Sequence, residues 1–253
     1  MSEQSGSTMN NKNHILRTGE YKTVKNTLDP ENINILKGLC RKLKGTESRP
    51  LYIVKQQELG SMPNERYLKI GISSIIREAK PILEDNLGDK IVILSNKALI
   101  RRTWPMSEME SREIRHNASN LTWHQDSNAK HNDKPMVVMM INLDKGFGET
   151  RPGISLLKTQ TENFKGIYGY QGERVEEFET TIRTEERTKV LPTENPVLDI
   201  GEMIIFNGLT FHRTYSTNKM VGPRDALLVR AVSWSERGNF PKGPHLVVKC
   251  RKS

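Results

Sequence analysis

Residues 197–212 read VLDIGEMIIFNGLTFH, a stretch of apolar and β-branched residues interrupted by turn-forming ones. The run Met203–Phe206 is typical of a strand, and Asn207-Gly208 is typical of a tight turn or bulge. We expect further strands at Val197–Ile200 and at Leu209–His212. This part of the chain therefore predicts short strands joined by tight turns, the last of them ending on a histidine.

The same pattern extends outward over the second half of the chain, whereas the first half is typical of helices. Asp29 followed by Pro30 predicts a helix start, with the helix continuing through Leu43. Ile70–Leu87 has helical periodicity, and Pro81 predicts a kink or two shorter helices there. The other predicted strands are Ile91–Leu94, Ala98–Trp104, Val137–Leu143, Ile154–Leu157 and Ala226–Trp234. Helices followed by regularly spaced short strands predict a mainly β fold with N-terminal helices, a jelly-roll barrel.

The domain organisation follows from length and composition. Residues 1–14 are polar, so we expect a disordered tail followed by one domain over residues 15–253. The polar, glycine-containing segment from Lys158 to Lys189 interrupts the strand pattern, and we expect a lid or a solvated helix there.

A histidine and a carboxylate with metal-ligand spacing follow an apolar stretch at Trp123-His124-Gln125-Asp126. A second His-x-Asp pair occurs at His131 and Asp133, within a run of turn-forming residues. Ligands are held more rigidly at a strand end than in a loop, which favours His124 and Asp126.

A second histidine, His212, ends the stretch described first. A lone histidine beside apolar residues is more often a core residue than a ligand. Arg224, twelve residues later, begins another apolar run, and a buried arginine needs an anionic partner. Strand periodicity puts Arg224 and Arg230 on one face, so either could bind an anion. Two imidazoles and one carboxylate, here His124, His212 and Asp126, are the ligand set of non-haem Fe(II) oxygenases and leave three metal positions open.

Composition excludes several other classes. The net charge is +9, but basic and acidic residues are mixed along the 253 residues, and a basic stripe with stacking aromatics is absent from the sequence. We expect no nucleic-acid partner, and the charge favours an anionic small-molecule substrate. Without an apolar run of 18 residues or the apolar centre of a secretory signal, no membrane association is expected. Cys40 and Cys250 lack metal-type spacing, and we expect a cytoplasmic protein. The oligomeric state stays open.

From about Ile91 to Trp234 the chain resembles the phytanoyl-CoA dioxygenase family of Fe(II)- and 2-oxoglutarate-dependent oxygenases. The resemblance is carried by Trp-His-Gln-Asp, by the GEMIIF run before His212, and by Arg224 with Ala226-Leu227. Residues 151–156 (RPGISL) loosely resemble a loop of that family before a proline-glycine turn.

The resemblance implies a double-stranded β-helix that binds Fe(II) through His124, Asp126 and His212. It implies that Arg224, assisted by Thr214, binds the distal carboxylate of 2-oxoglutarate, with Arg230 as the alternative. The implied reaction uses O2 to hydroxylate an unactivated carbon and releases succinate and CO2. Asp126 argues against halogenation, since related halogenases have a small residue there. Possible pocket residues are Arg102, Trp104, Trp123 and Arg230.

Two other classes of protein fit the same residues. A metal-dependent cupin-type enzyme or isomerase would use the same ligands without 2-oxoglutarate. A non-catalytic β-sandwich binding protein would bury His124 and His212 in its core. Succinate release separates the first from an oxygenase, and iron binding separates the second.

Overall fold

The computed structural model describes residues 16–42, 65–94, 98–103, 124–126, 136–144, 153–158, 180–181, 192–214, 224–239 and 246–249. Several predictions concern residues outside these ranges. They are the tail over residues 1–14, the pair His131 and Asp133, Trp104, Trp123, and the segment between Lys158 and Lys189 except for residues 158, 180, 181.

Two helices are described, α1 (Pro30–Lys42) and α2 (Glu65–Leu87). Asp29 caps α1, since its Oδ1 accepts a hydrogen bond of 2.8 Å from the backbone N–H of Asn32. Of the two alternatives predicted at Pro81, the pair of shorter helices is wrong, because α2 continues through this residue. Pro81 and Arg77, whose carbonyl loses a hydrogen-bond donor, are both exposed, so water can replace that bond. Neither described helix is long and apolar enough to span a membrane.

Twelve strands are described. They are β1 (Tyr21–Val24), β2 (Lys90–Ile93), β3 (Leu99–Thr103), β4 (His124–Gln125), β5 (Val137–Asn142), β6 (Ile154–Leu157), β7 (Thr180–Thr181), β8 (Thr193–Glu194), β9 (Met203–Asn207), β10 (His212–Thr214), β11 (Arg224–Ser233) and β12 (Leu246–Lys249). A 3-10 helix, Trp234–Asn239, follows β11.

The described strands form two antiparallel sheets. The larger has the order β1-β9-β5-β11-β2-β12, with β3 also paired to β11. The smaller has the order β7-β4-β10-β6-β8. Strand β11 is the longest, and one of its edges pairs with both β3 and β2.

Strand β5 shows how the layers stack. Val137, Met139 and Ile141 pack in a buried cluster that includes the apolar faces of α1 and α2. Val138 and Met140 point the other way, into a cluster that also contains residues of β6 from the smaller sheet. The larger sheet is therefore the middle layer, buried on both faces, and the fold is a mainly antiparallel β-sandwich with helices on one side.

Some predicted strands are shifted or absent. Residues 197–200 are not a strand, and Val197 is 64% exposed. A turn occupies residues 208–210, and the strand after it begins only at His212. Strands β1 and β12, at the edges of the larger sheet, were not predicted. The sequence of β1 (YKTV) lacks the apolar run that marked the central strands, and the run in β12 (LVVK) is only three residues long.

Candidate metal centre

His212 is the first residue of β10 and is 4% exposed. Its Nδ1 lies 2.9 Å from the carbonyl oxygen of Thr210. A carbonyl accepts hydrogen bonds only, so Nδ1 carries the proton and Nε2 of the neutral ring keeps its lone pair. The ring packs against Phe206 in an edge-to-face arrangement, with centroids 4.9 Å apart. The turn at residues 208–210 thus fixes both the tautomer and the orientation of the imidazole, as is usual for a metal-binding histidine.

Asp126 follows the short strand β4 and its side chain is fully buried. Its Oδ1 lies 3.9 Å from Nε2 of His212. The neighbouring Gln125 donates a hydrogen bond from its side chain to the carbonyl of Leu209, in the turn before His212. This bond ties the two predicted ligand segments together, although Gln125 and Leu209 are 84 residues apart in sequence.

His124 is described by its backbone but not by its side chain. It pairs with His212 in the register between β4 and β10. Residues directly opposite each other in an antiparallel pair lie on one face of the sheet. Among the side chains that the structure describes, no three His, Cys, Asp or Glu residues form a metal-binding group.

Arg230 comes from the larger sheet and forms an ion pair with Asp126. Its Nε donates to Oδ2 and its NH2 group donates to Oδ1, both at 2.8 Å. The arginine is 7% exposed as a residue, so this pair is shielded from water. An arginine fork on a carboxylate is a strong and geometrically specific contact.

Arg224 lies on the same face of β11 but six residues earlier, about 20 Å along the strand. It is 4% exposed and donates a hydrogen bond of 3.1 Å to the carbonyl of Gly153. A Cβ on Gly153 would lie 2.7 Å from NH1 of Arg224, so a side chain at this position would displace the guanidinium. The backbone of Thr214 pairs with Ile154, next to Gly153. The two arginines therefore have different surroundings, which the sequence left open.

The strand register places the candidate site in one layer between the sheets. One row across the larger sheet is Tyr21, Phe206, Val138 and Arg230. A row across the smaller sheet is Thr181, His124, His212, Leu156 and Glu194. Three side-chain contacts join the two sheets. They are Arg230 with Asp126, Phe206 with His212, and Tyr21 with Glu194. The residues that the sequence predicted as ligands thus lie between the two sheets, with His124 and His212 on the smaller sheet and Asp126 in contact with Arg230 of the larger one.

Tyr21 and Glu194, at the end of this layer, were not predicted from sequence. The Tyr21 hydroxyl donates to Glu194, which also pairs with Lys158. Burial, and then the hydrogen bond to Glu194 and its charge, raise the pKa of Tyr21 from 10.0 to about 12. The hydrogen bonds from Lys158 and Tyr21 lower the pKa of Glu194. Tyr21 is 173 residues from Glu194 in sequence, so no local motif marks this cluster.

Asn142 is a second polar residue that sequence reasoning missed. It is 2% exposed, pairs with Ala226, and donates from Nδ2 to the carbonyl of Leu198 at 3.0 Å. Within the described residues its Oδ1 accepts no hydrogen bond. Asn142 therefore holds the non-strand segment before Gly201 against the sheet.

The other predicted pocket residue in the described ranges, Arg102, lies in β3 opposite Asp225. A cavity of about 620 Å³ lies instead on the helical side of the larger sheet, lined by residues that include Leu28, Ile33, Lys37 and Ile200. Because Asp126 and His212 lie on the opposite face, this cavity is separate from the candidate metal centre.

Solved structures share this fold. The epimerase SnoN, in complex with Fe3+, alpha ketoglutarate and nogalamycin RO, has a TM-score of 0.56 at 14% identity, over 86% of this chain and 80% of that one. The non-heme alpha ketoglutarate dependent carbocyclase SnoK, from nogalamycin biosynthesis, has a TM-score of 0.55 at 14% identity, over the same shares. HygX from Streptomyces hygroscopicus, with nickel and 2-oxoglutarate bound, has a TM-score of 0.56 at 11% identity, over 86% of this chain and 84% of that one. Identities this low show a shared fold alone. No protein-family model and no curated protein matches the sequence.

Proposed function

We propose that this chain is a non-haem Fe(II)- and 2-oxoglutarate-dependent oxygenase of the phytanoyl-CoA dioxygenase type. The observation that carries the proposal is the buried Asp126 carboxylate facing Nε2 of His212, with His124 opposite His212 in the strand register. SnoN, SnoK and HygX, which share the fold, were solved with iron or nickel and 2-oxoglutarate or are described as 2-oxoglutarate dependent. On this basis the two sheets form a jelly-roll barrel within a single domain over residues 15–253.

The residues present fit a metal ion. Asp126 and His212 offer a carboxylate oxygen and an imidazole nitrogen 3.9 Å apart. Ligand atoms about 2.0–2.2 Å from a metal lie about 3 Å apart when they are neighbours in an octahedron. A closing movement of about 1 Å by the two side chains would therefore let one ion bind both. Because Nδ1 of His212 carries the proton, Nε2 is the ring nitrogen that can bind the metal. We assign His124 as the third ligand, because its register places it on the same face as His212.

Arg224 and Thr214 are assigned to the distal carboxylate of 2-oxoglutarate. Arg224 is a buried cation whose guanidinium lies over Gly153, and Thr214 pairs with the next residue, Ile154. The Arg224 guanidinium and the backbone of Thr214 therefore both lie at the start of β6. Arg230 is less suitable as the anchor, because both of its described hydrogen bonds go to Asp126.

When bound, Fe(II) would activate O2 at the expense of 2-oxoglutarate, giving succinate and CO2. The protein contributes position and a dry environment. His212 is oriented by Thr210 and Phe206, and Asp126 is shielded from water by the strands around it. We propose hydroxylation of an unactivated carbon in an anionic small molecule, since the +9 charge favours such a ligand.

The proposal is tested by incubating the protein with Fe(II), 2-oxoglutarate and O2 and measuring succinate. We expect succinate from the wild type and none from His212→Ala, which should also lose iron binding because one of three ligands is missing. His131→Ala is the matched control and should keep both. Iron binding without succinate would favour the cupin-type enzyme, and failure of the wild type to bind iron would disprove a metal centre here. Retained activity in His212→Ala would show that this histidine is not a ligand.

A further inference from the structure

We propose that Arg230 is a positioning residue that makes Asp126 bind the metal through Oδ1 alone. The inference rests on the proposed function, because it concerns the same metal centre. It assigns to Arg230 a task different from 2-oxoglutarate binding, and it explains how the centre keeps three coordination positions open.

The contacts of the carboxylate carry the argument. Arg230 uses Nε for Oδ2 and NH2 for Oδ1, at 2.8 Å each, so the planar fork covers both oxygens on one side. Nε2 of His212 lies 3.9 Å from Oδ1. Asp126 therefore has an arginine on one side and the second predicted ligand near one of its oxygens.

The lone pairs of the carboxylate then limit how a metal can bind. A carboxylate has about four lone-pair sites, two on each oxygen. A metal chelated by both oxygens would need the side that the guanidinium occupies. A metal shared with His212 would instead reach Asp126 at Oδ1, the oxygen that lies 3.9 Å from Nε2, and would bind through that one oxygen. One position each for Asp126, His124 and His212 leaves three of six octahedral positions for a bidentate co-substrate and O2. Chelation would remove one of these.

Burial makes the pair obligatory in the folded protein. The Asp126 side chain is fully buried and that of Arg230 is 9% exposed. A buried carboxylate without its cation is strongly unfavourable. The two residues come from different sheets and are 104 positions apart, so the packing of the sandwich sets their geometry. A lysine could restore the charge but not the planar fork.

Arg224 provides a matched comparison. It lies on the same face of the same strand and is buried to a similar degree, 4% against 7% exposed. Its described hydrogen bond goes to the Gly153 carbonyl instead of a ligand carboxylate. Arg224→Lys should therefore leave the affinity for metal alone unchanged.

The experiment uses Co(II) in place of Fe(II), without 2-oxoglutarate, with affinity measured by calorimetry. We expect Arg230→Gln to bind Co(II) about 10- to 100-fold more weakly than the wild type, the usual effect of losing a residue that orients a ligand. Arg230→Lys should bind Co(II) with an affinity between those of Arg230→Gln and the wild type. Arg224→Lys should keep the wild-type affinity. Equal Co(II) affinity in wild type and Arg230→Gln would overturn the proposal.

A crystal structure of the Co(II)-loaded wild type decides the binding mode without any variant, even if Arg230→Gln does not fold. We expect Co(II) on Oδ1 alone, both Arg230 hydrogen bonds retained, and three solvent ligands. In Arg230→Lys we expect Asp126 to chelate through both oxygens with one solvent ligand fewer. Chelation in the wild type, or an Arg230 that has left Asp126, would overturn the inference while leaving the proposed function intact. Failure of the wild type to bind Co(II) would count against both.

Discussion

At the scale of single residues, the chemistry of the candidate centre depends on contacts with the backbone as well as on residue type. His212 can offer Nε2 only because the Thr210 carbonyl holds the proton on Nδ1. Arg224 reaches its position because residue 153 has no side chain. In both cases a nearby backbone atom decides what a side chain known from sequence can do.

Tyr21 gives a residue-scale prediction on pH. Because its pKa is raised to about 12 in the folded state, its contribution to stability is complete below pH 10 and is lost as the pH rises towards 12. We expect one of the six tyrosines to ionise late in an absorbance titration of tyrosinate, and Tyr21→Phe to remove that component. Glu194→Gln should lower the pKa of Tyr21 part of the way towards 10, since the charge is lost while burial, the largest cause of the raised pKa, remains. If Tyr21→Phe instead removed a tyrosinate component that ionises near pH 10 and left the late one, the raised pKa would not belong to Tyr21.

At the scale of elements, β11 joins the larger sheet to the candidate centre. It pairs with β5 along one edge and with β3 and β2 along the other, and residues 224–232 are all buried. Its alternating side chains put Arg224 and Arg230 between the sheets, about 20 Å apart along the strand. One strand thus presents two cations to two different places between the sheets, one at Asp126 and one at Gly153.

A prediction at this scale concerns Arg224. Arg224→Lys loses the planar fork, and a hydrogen bond to a charged group is worth about 1.5–3 kcal/mol. We expect the 2-oxoglutarate concentration for half-maximal succinate formation to rise roughly tenfold or more, because about 1.4 kcal/mol corresponds to a factor of ten. The titration is made at saturating Fe(II), with metal affinity as the control. An unchanged 2-oxoglutarate requirement, together with a large increase in Arg230→Lys, would move the anchor to Arg230.

At the scale of the whole molecule, the larger sheet separates the helices from the candidate centre. The turn at Gly201, just before β9, connects the larger sheet to the helices. The Gly201 carbonyl accepts a hydrogen bond of 2.9 Å from the N–H of Thr27, just before α1. Gly201 has a φ of 80°, and a Cβ there would lie 2.9 Å from the Leu28 carbonyl oxygen. The turn therefore requires glycine for both conformation and space.

This contact predicts a difference between two glycines. Gly88 has a φ of 83°, but a Cβ there would meet no heavy atom within 4 Å. Gly88→Ala should lower the free energy of unfolding by about 1 kcal/mol through backbone strain alone. Gly201→Ala should lower it by about 1–3 kcal/mol more, because the backbone of Leu28 must also move. Denaturant unfolding of both variants measures this difference, and equal losses would show that the turn adapts without cost.

The sequence by itself determined those features that depend on local pattern. The apolar runs of β5, β9 and β11 predicted their strands, and Asp29 with Pro30 predicted the start of α1, since strand period and helix capping act over a few residues. The pairing of His-x-Asp with a distal histidine and arginine came from residue type and spacing. Edge strand β1 and the unbroken helix at Pro81 could not be predicted, because sheet pairing and exposure decide them.

Only the tertiary structure decided which side chains meet. Strand periodicity placed both arginines on one face without giving their partners, and the packing of two sheets brought Arg230 onto Asp126 and Arg224 onto Gly153. The Tyr21–Glu194 contact spans 173 residues, and the register of β10 with β4 sets His212 opposite His124. Side-chain pairing across a sandwich depends on strand order and register, which are set by long-range contacts that no local pattern contains.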